Sequence, residues 1–391
     1  MDRRKFVKLA TSTPLLALPV AVAPNLAWAA APPAATYGNL LVLIELKGGN
    51  DGLNTLVPYA NPTYYALRPK LAIARDRVVQ LTDGVGLHPS LEPLLPLWKN
   101  RELAVVQGVG YPAPNLSHFR SIEIWDTASK SEEYLQEGWL TRTFAAAPTP
   151  SAFAADGVII GSPDLGPLGG GGTRAIALAN TEQFLRQARL ATREGEAHNK
   201  ALAHILKVES DIMQAATHLS ADHVFQTDFP QSAFGTAVRT AAQVIANQAG
   251  VAVVRVTLPG FDTHSGQPAT QARLLSEFAS GVVALKEALS ELGRWNRTLL
   301  VTYAEFGRRP KENLSSGTDH GTASVHFALG GRVAGGLYGE QPSLDRLSGD
   351  GNPAYAIDFR SVYATVLERW WGVPSAGLLN GRFATVPMLR A

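Results

Sequence analysis

Seven short runs of the chain are apolar at nearly every position: "NLLVLIEL" at 39–46, "LAVVQGV" at 103–109, "GVIIG" at 157–161, "AIAL" at 175–178, "VAVVRVTL" at 251–258, "TLLVTYA" at 298–304 and "VHFALGG" at 325–331. Several are rich in β-branched residues and lack the polar alternation of a half-exposed strand, the pattern of a parallel sheet covered on both faces. Between them the apolar positions recur at helical spacing, most clearly in "QARLLSEFASGVVALKEALSELG" at 271–293, while 181–216 reads as two helices. This alternation predicts an α/β fold: a doubly wound, mostly parallel central sheet with helices on both faces. The largely helical stretch over about 181–248 reads as an insertion, a cap or lid beside the sheet. "SPDLGPLGGGGTR" at 162–174 lacks the Gly-Lys-Ser/Thr of a phosphate cradle and reads as a loop.

The N-terminus changes what counts as the working protein. Residues 1–29 carry Arg3, Arg4 and Lys5, then an apolar stretch, then Ala27-Trp28-Ala29, the layout of an export signal with a cleavage site. The apolar stretch is broken by polar residues and Pro14 and falls short of the roughly 20 residues of a membrane span. The paired arginines, with Phe6 and Lys8 behind them, read as a twin-arginine signal, which implies that export machinery as a partner and a periplasmic or secreted destination. Residues 30–38 form a spacer, and 39–391 form the mature domain, with no stable membrane span. With no cysteine there is neither a disulfide nor a thiolate metal site, and a net charge of +2 with mixed signs gives no nucleic-acid surface.

Ligands of open α/β sheets lie beyond the carboxyl ends of the strands. The residues that follow the apolar runs there are donors: Asp51 within Gly48-Gly49-Asn50-Asp51-Gly52, Ser117, His118 and Arg120 in "NLSHFRS", Asp262 and His264 in "FDTHSG", Glu305 and Arg308 in "AEFGRR", and Asp319 with His320 in "GTDHGT". Imidazole and carboxylate without sulfur suit a divalent metal, with zinc or manganese foremost and iron also compatible. Two such ions serve displacement at phosphorus. The glycines around Asp51 read as permitting tight turns and close approach. Asp262 and His264, two residues apart, can converge on one ion; Asp319 can orient an imidazole from behind. A carboxylate directly after "LLVTYA", Glu305, is costly to bury without a partner. His88 reads as structural, His326 as a satisfied core residue, and His198, His204, His218 and His223 as solvated positions of the insertion.

Together, "ELKGGNDGLNTLVPY", "GLHPSLEPLLPLW", "GYPAPNLSHFRS", "FDTHSGQ", "VTYAEFGRRPKEN" and "GTDHGTASVHFALGG" resemble a widespread bacterial family of exported proteins of unknown function, grouped with the alkaline phosphatase and sulfatase superfamily. The resemblance covers nearly all of the mature chain. It implies an alkaline phosphatase-like sheet with a metal site at the strand ends and chemistry on phosphate or sulfate groups. Asp51 matches the early metal-binding aspartate, Asp262 and His264 the middle pair, Glu305 a strand-end carboxylate and His320 the late histidine. The pair is spaced two apart instead of four, Phe306 stands where histidine often follows, and the aldehyde-forming sulfatase motif is missing.

The function expected from this reading is an exported metal-dependent hydrolase or transferase acting on a small or polymer-linked anionic ester. Asp262, His264 and His320 hold one ion, and Asp51 and Glu305 hold or orient a second. Ser117 attacks, or a metal-held hydroxide does, and His118 can complete the metal shell. Arg120 or Arg308 faces the anion, where a guanidinium pairs two oxygens. Two alternatives stand beside it: a binding or assembly protein that keeps the fold without turnover, and a metalloenzyme of another, possibly redox, reaction.

Overall fold

The computed structural model describes residues 35–178, 223–247 and 250–390. Its strands, in chain order, are β1 (Leu40–Lys47), β2 (Leu56–Val57), β3 (Val79–Gln80), β4 (Gly86–Leu87), β5 (Leu103–Gly110), β6 (Ala155–Ile160), β7 (Ala175–Leu178), β8 (Val251–Pro259), β9 (Thr298–Tyr303), β10 (Gly307–Glu312), β11 (Thr318–Gly321), β12 (Ser324–Leu329), β13 (Gly336–Tyr338) and β14 (Ile357–Asp358). Nine of them form one sheet in the order β13-β5-β12-β9-β1-β8-β6-β7, with β14 added on β5. β1 pairs in parallel with β8 and β9, and β6 with β7 and β8, while β12 runs antiparallel between β5 and β9. β10 and β11 form a separate hairpin, and β2, β4 and β3 a small sheet.

The side-chain period of two divides β1 between the faces. Leu40, Val42, Ile44 and Leu46 join the core under the helices Ala233–Ala246 and Gln267–Glu291, whereas Leu41 and Leu43 join the core under His118–Thr127, Trp139–Ala146 and Phe359–Ala364. Both faces are covered, which is why the strands read as unbroken apolar runs. The seven expected strands and the helix over 271–293 are all present, the helix starting four residues earlier, at Gln267. The stretch 181–222, with His198, His204 and His218, lies outside the described residues. Within 223–247, Ala233–Ala246 packs Phe234, Val238 and Ile245 into the sheet's core, so this part of the expected insertion is a covering helix and not a cap.

Two histidines show how the fold treats imidazoles it does not use at the site. His88 caps the 3₁₀ turn Pro89–Leu94, accepting from Ser90 N at 3.0 Å, and burial pushes its pKa down to about 4. His326 in β12 corrects the expectation of a satisfied core residue. It is buried against Trp125, ring centroids 5.2 Å apart, but among the described residues neither ring nitrogen has a hydrogen-bond partner, and burial alone pushes its pKa down to about 3. Among the described residues no helix is long and apolar enough to cross a membrane.

Candidate metal centre

The carboxyl ends of β1, β8 and β9 lie side by side, and the loops that leave them meet the start of the helix His118–Thr127 and the hairpin β10–β11. Gly48 and Gly49 both hold positive φ, at 116° and 81°. A Cβ on Gly48 would fall on the Asp262 backbone nitrogen, and one on Gly49 on the Phe306 ring. The glycines therefore serve the close approach of the β1 end to the loops after β8 and β9.

Into this junction His118, Asp262 and His320 each turn a ligand atom, all within 4.8 Å of one another. His320 Nε2 lies 3.2 Å from Asp262 Oδ1, and His118 Nε2 lies 3.4 Å from Asp262 Oδ2. His264 Nε2 joins them, 2.9 Å from His320 Nε2 and 3.1 Å from Asp262 Oδ1. Asp262 and His264 are each nearly half exposed, so the group opens to solvent.

The second ring nitrogens fix what this group offers. His320 Nδ1 lies 2.8 Å from the carbonyl of Leu116, which can only accept, so the proton sits on Nδ1 and Nε2 faces the group with a lone pair. His118 Nδ1 lies 2.9 Å from Glu305 Oε1, which imposes the same orientation. Burial lowers the His320 pKa, opposed by the Leu116 carbonyl at Nδ1 and by Asp262, which favours the protonated ring, whereas the hydrogen bond to Glu305 raises that of His118 against the effect of burial. Burial raises the Asp262 carboxyl, but the hydrogen bond and charge of Arg308, with His320 and His118, outweigh it and leave Asp262 below the usual carboxylate range. A carboxylate oxygen and imidazole lone pairs at these separations repel unless a proton or a cation lies among them. Imidazole nitrogen and carboxylate oxygen are donors that zinc, manganese and iron accept, so the residues fit a divalent ion.

Three expected roles are corrected. Asp51 is not part of the group: its carboxylate is buried, gripped by Arg68 Nη1 at 2.5 Å and Nη2 at 3.0 Å, and it accepts from Gln267 Nε2 at 2.5 Å and from Leu53 N at 3.1 Å. Those donors leave no oxygen for an ion. Arg308 is engaged inside the protein: fully buried, it donates to the carbonyls of Gly48, Gly49, Phe261 and Thr318 and, at 2.6 Å, to Asp262 Oδ1. Arg120 is turned to the carbonyls of Lys130, Ser131 and Glu133, pairs with Glu123 at 2.9 Å and lies over the Tyr134 ring. Its guanidinium shapes a loop.

Glu305 is buried, accepts from Gly48 N at 2.9 and 3.0 Å and meets His118 Nδ1 at 2.9 Å, so it fixes the orientation of that ring. Asp319 stands behind His264, its Oδ1 3.5 Å from Nδ1, and Asn313 Nδ2 donates to the carbonyl of His264 at 2.9 Å. Ser117 is exposed at the N-cap of the helix His118–Thr127, and its hydroxyl makes no cap hydrogen bond. Arg68, which neutralises Asp51, and Gln267, which hydrogen-bonds it, carried no signal in the sequence: one follows a short helix, the other opens a long one.

A mostly parallel α/β sheet that gathers histidines and a carboxylate at its strand ends is thus the class of protein defined here. The chain belongs to the family described as protein of unknown function (DUF1501), which it matches over residues 39–378. A comparison with curated proteins finds no match. Among solved structures, the chain is similar to Ps i-CgsB at 11% identity and a TM-score of 0.36, over 87% of this chain and 72% of that one. It is similar to the C-terminal periplasmic domain of EcEptC from Escherichia coli, in complex with Zn, at 12% identity and a TM-score of 0.35, over 76% of each chain. It is also similar to alkaline phosphatase from the Antarctic bacterium TAB5 at 11% identity and a TM-score of 0.33, over 77% of this chain and 94% of that one.

Proposed function

We propose that this protein is an exported metal-dependent hydrolase or transferase acting on a phosphate or related sulfate ester, a member of the alkaline phosphatase and sulfatase superfamily. The observation that supports it is the convergence of His118, His264 and His320 on Asp262, with the outer nitrogens of His118 and His320 already engaged. These four residues would hold one divalent ion, zinc or manganese. Bound there, such an ion supplies positive charge to the non-bridging oxygens of an ester as charge develops on them. Glu305 holds the His118 ring in place, Arg308 holds Asp262, and Asp319 stands behind His264. Ser117, next to His118 in the chain and exposed, would attack the ester. The arginine pair at residues 3–4 supports twin-arginine export to the periplasm or beyond.

The test is elemental analysis of the purified protein together with turnover of aryl phosphate and aryl sulfate esters. Bound metal, and turnover lost in both His264→Ala and His320→Ala, is the expected result. One observation favours a second reading, a binding protein without turnover: Arg120 and Arg308 are both occupied elsewhere. A metal-free, inert preparation that binds a surface polymer would establish that reading instead.

A further inference from the structure

The two most exposed large apolar side chains among the described residues are Phe119, 89% exposed, and Leu314, 99% exposed. A lone exposed apolar residue needs no explanation, but two carried on segments that supply or hold the candidate ligands invite one. Phe119 directly follows His118 at the start of its helix. Leu314 occupies the turn between β10 and β11, directly after Asn313, whose amide holds the carbonyl of His264. The same turn is clamped to the loop after β8 by Gly266 N donating to Ser315 O at 3.1 Å and Gln267 N to Ser316 O at 2.9 Å, so Leu314 is carried on a fixed support. His118 and His264 each pack their rings against His320, at 4.5 and 4.7 Å between centroids. Phe119 therefore adjoins one candidate ligand in the chain, and Leu314 sits on the turn that holds the loop of another. Tyr134, also exposed, differs from them in being stacked on Arg120.

Holding water against a phenyl ring and an isobutyl group beside a polar centre is unfavourable unless an occupant covers them. We infer that the substrate is amphiphilic: an anionic ester whose leaving or retained group is an alkyl or aryl chain, with the anion at the metal centre and the chain against Phe119 and Leu314. This rests on the reading of the centre as an ester site, and it names the apolar part that the reading leaves open. Charge complementarity directs the arrangement, since the cation takes the anionic head and the flanking side chains offer only apolar surface.

The experiment measures binding of methyl-, butyl-, hexyl- and octylphosphonate, which are not hydrolysed, to the zinc-loaded full chain by calorimetry, for the wild type and for the double variant Phe119→Ser, Leu314→Ser. Expected is a tightening of about threefold per added methylene over the first several carbons, with the octyl-to-methyl ratio falling at least tenfold in the variant. Equal affinity along the series, or no binding of any member, overturns the inference. So does wild-type binding to phosphatidylglycerol vesicles that is lost in the variant while the series stays flat, which would assign the two side chains to a membrane surface. Because the phosphonates require no turnover, a flat series beside active hydrolysis of aryl phosphate sinks this inference alone, whereas a steep series without hydrolysis sinks only the enzymatic reading.

Discussion

Arg68 and Asp51 form an ion pair 2.5 Å long in which neither side chain reaches solvent, and Gln267 and Leu53 N complete the hydrogen bonding of the carboxylate. The pair ties the loop after β1 to the chain that follows the helix Pro62–Leu67 and to the first turn of the helix Gln267–Glu291.

Removing one member leaves the other charged and buried. Arg68→Ala is expected to destabilise the fold by about 4 kcal/mol, and replacing both by apolar residues, Arg68→Met with Asp51→Leu, to recover most of that loss. Denaturant unfolding of the three proteins checks it. A mild Arg68→Ala would show that Asp51 finds another partner, such as an ion.

Asp262 touches His118, His264, His320 and Arg308 through its two oxygens, so it is the donor common to the whole group. One divalent ion per chain is expected in the wild type and less than a tenth of that in Asp262→Asn, by elemental analysis. Asp51→Asn is expected to retain the ion, because its carboxylate is turned away. With zinc at a hundred times its Kd, the wild type gains about 2.7 kcal/mol of stability, and Asp262→Asn gains none.

In the proposed centre Glu305 would act on the ion through His118. Glu305→Gln keeps an acceptor for Gly48 N but removes the charge that fixes the imidazole, so metal affinity is expected to fall about 10- to 100-fold, measured by competition with a chelator. A larger loss, equal to that of Asp262→Asn, would make Glu305 a ligand itself.

His326 governs acid sensitivity away from the site. Its folded pKa is depressed to about 3, so the neutral ring is favoured in the folded state. The associated stability is fully present above the unfolded value near 6.5 and is lost as pH falls toward 3. Between pH 7.5 and pH 5 the wild type is expected to lose about 2 kcal/mol more than His326→Leu. Parallel pH profiles of unfolding free energy for the two proteins would show that the ring is solvated or paired.

The sheet was legible because its strands are apolar on both faces and its helices periodic, signals that come from burial alone. The rule that ligands gather at strand ends points to His118, Asp262, His264, Glu305 and His320, side chains that the fold brings near one another. What failed is pairing. Asp51 has the loop position of a ligand, and only the fold shows that Arg68, seventeen residues on, reaches its oxygens first. Arg308 and Arg120 look like anion receptors by type, yet their donors are spent on backbone carbonyls, which no sequence pattern announces. The helix Ala233–Ala246 reads as part of an insertion in the sequence because its apolar face cannot be matched to a partner without the sheet.

Arg308 reaches four carbonyls drawn from the loop after β1, the loop after β8 and the hairpin strand β11, and then Asp262 itself. One guanidinium thus sets the spacing of three backbone segments before any ion arrives. In the proposed centre, a carboxylate braced this way would have little freedom to shift around a guest ion, so discrimination among divalent ions would become a matter of radius and preferred coordination angles. Loosening that brace would broaden the range of ions accepted even with every donor atom left in the chain.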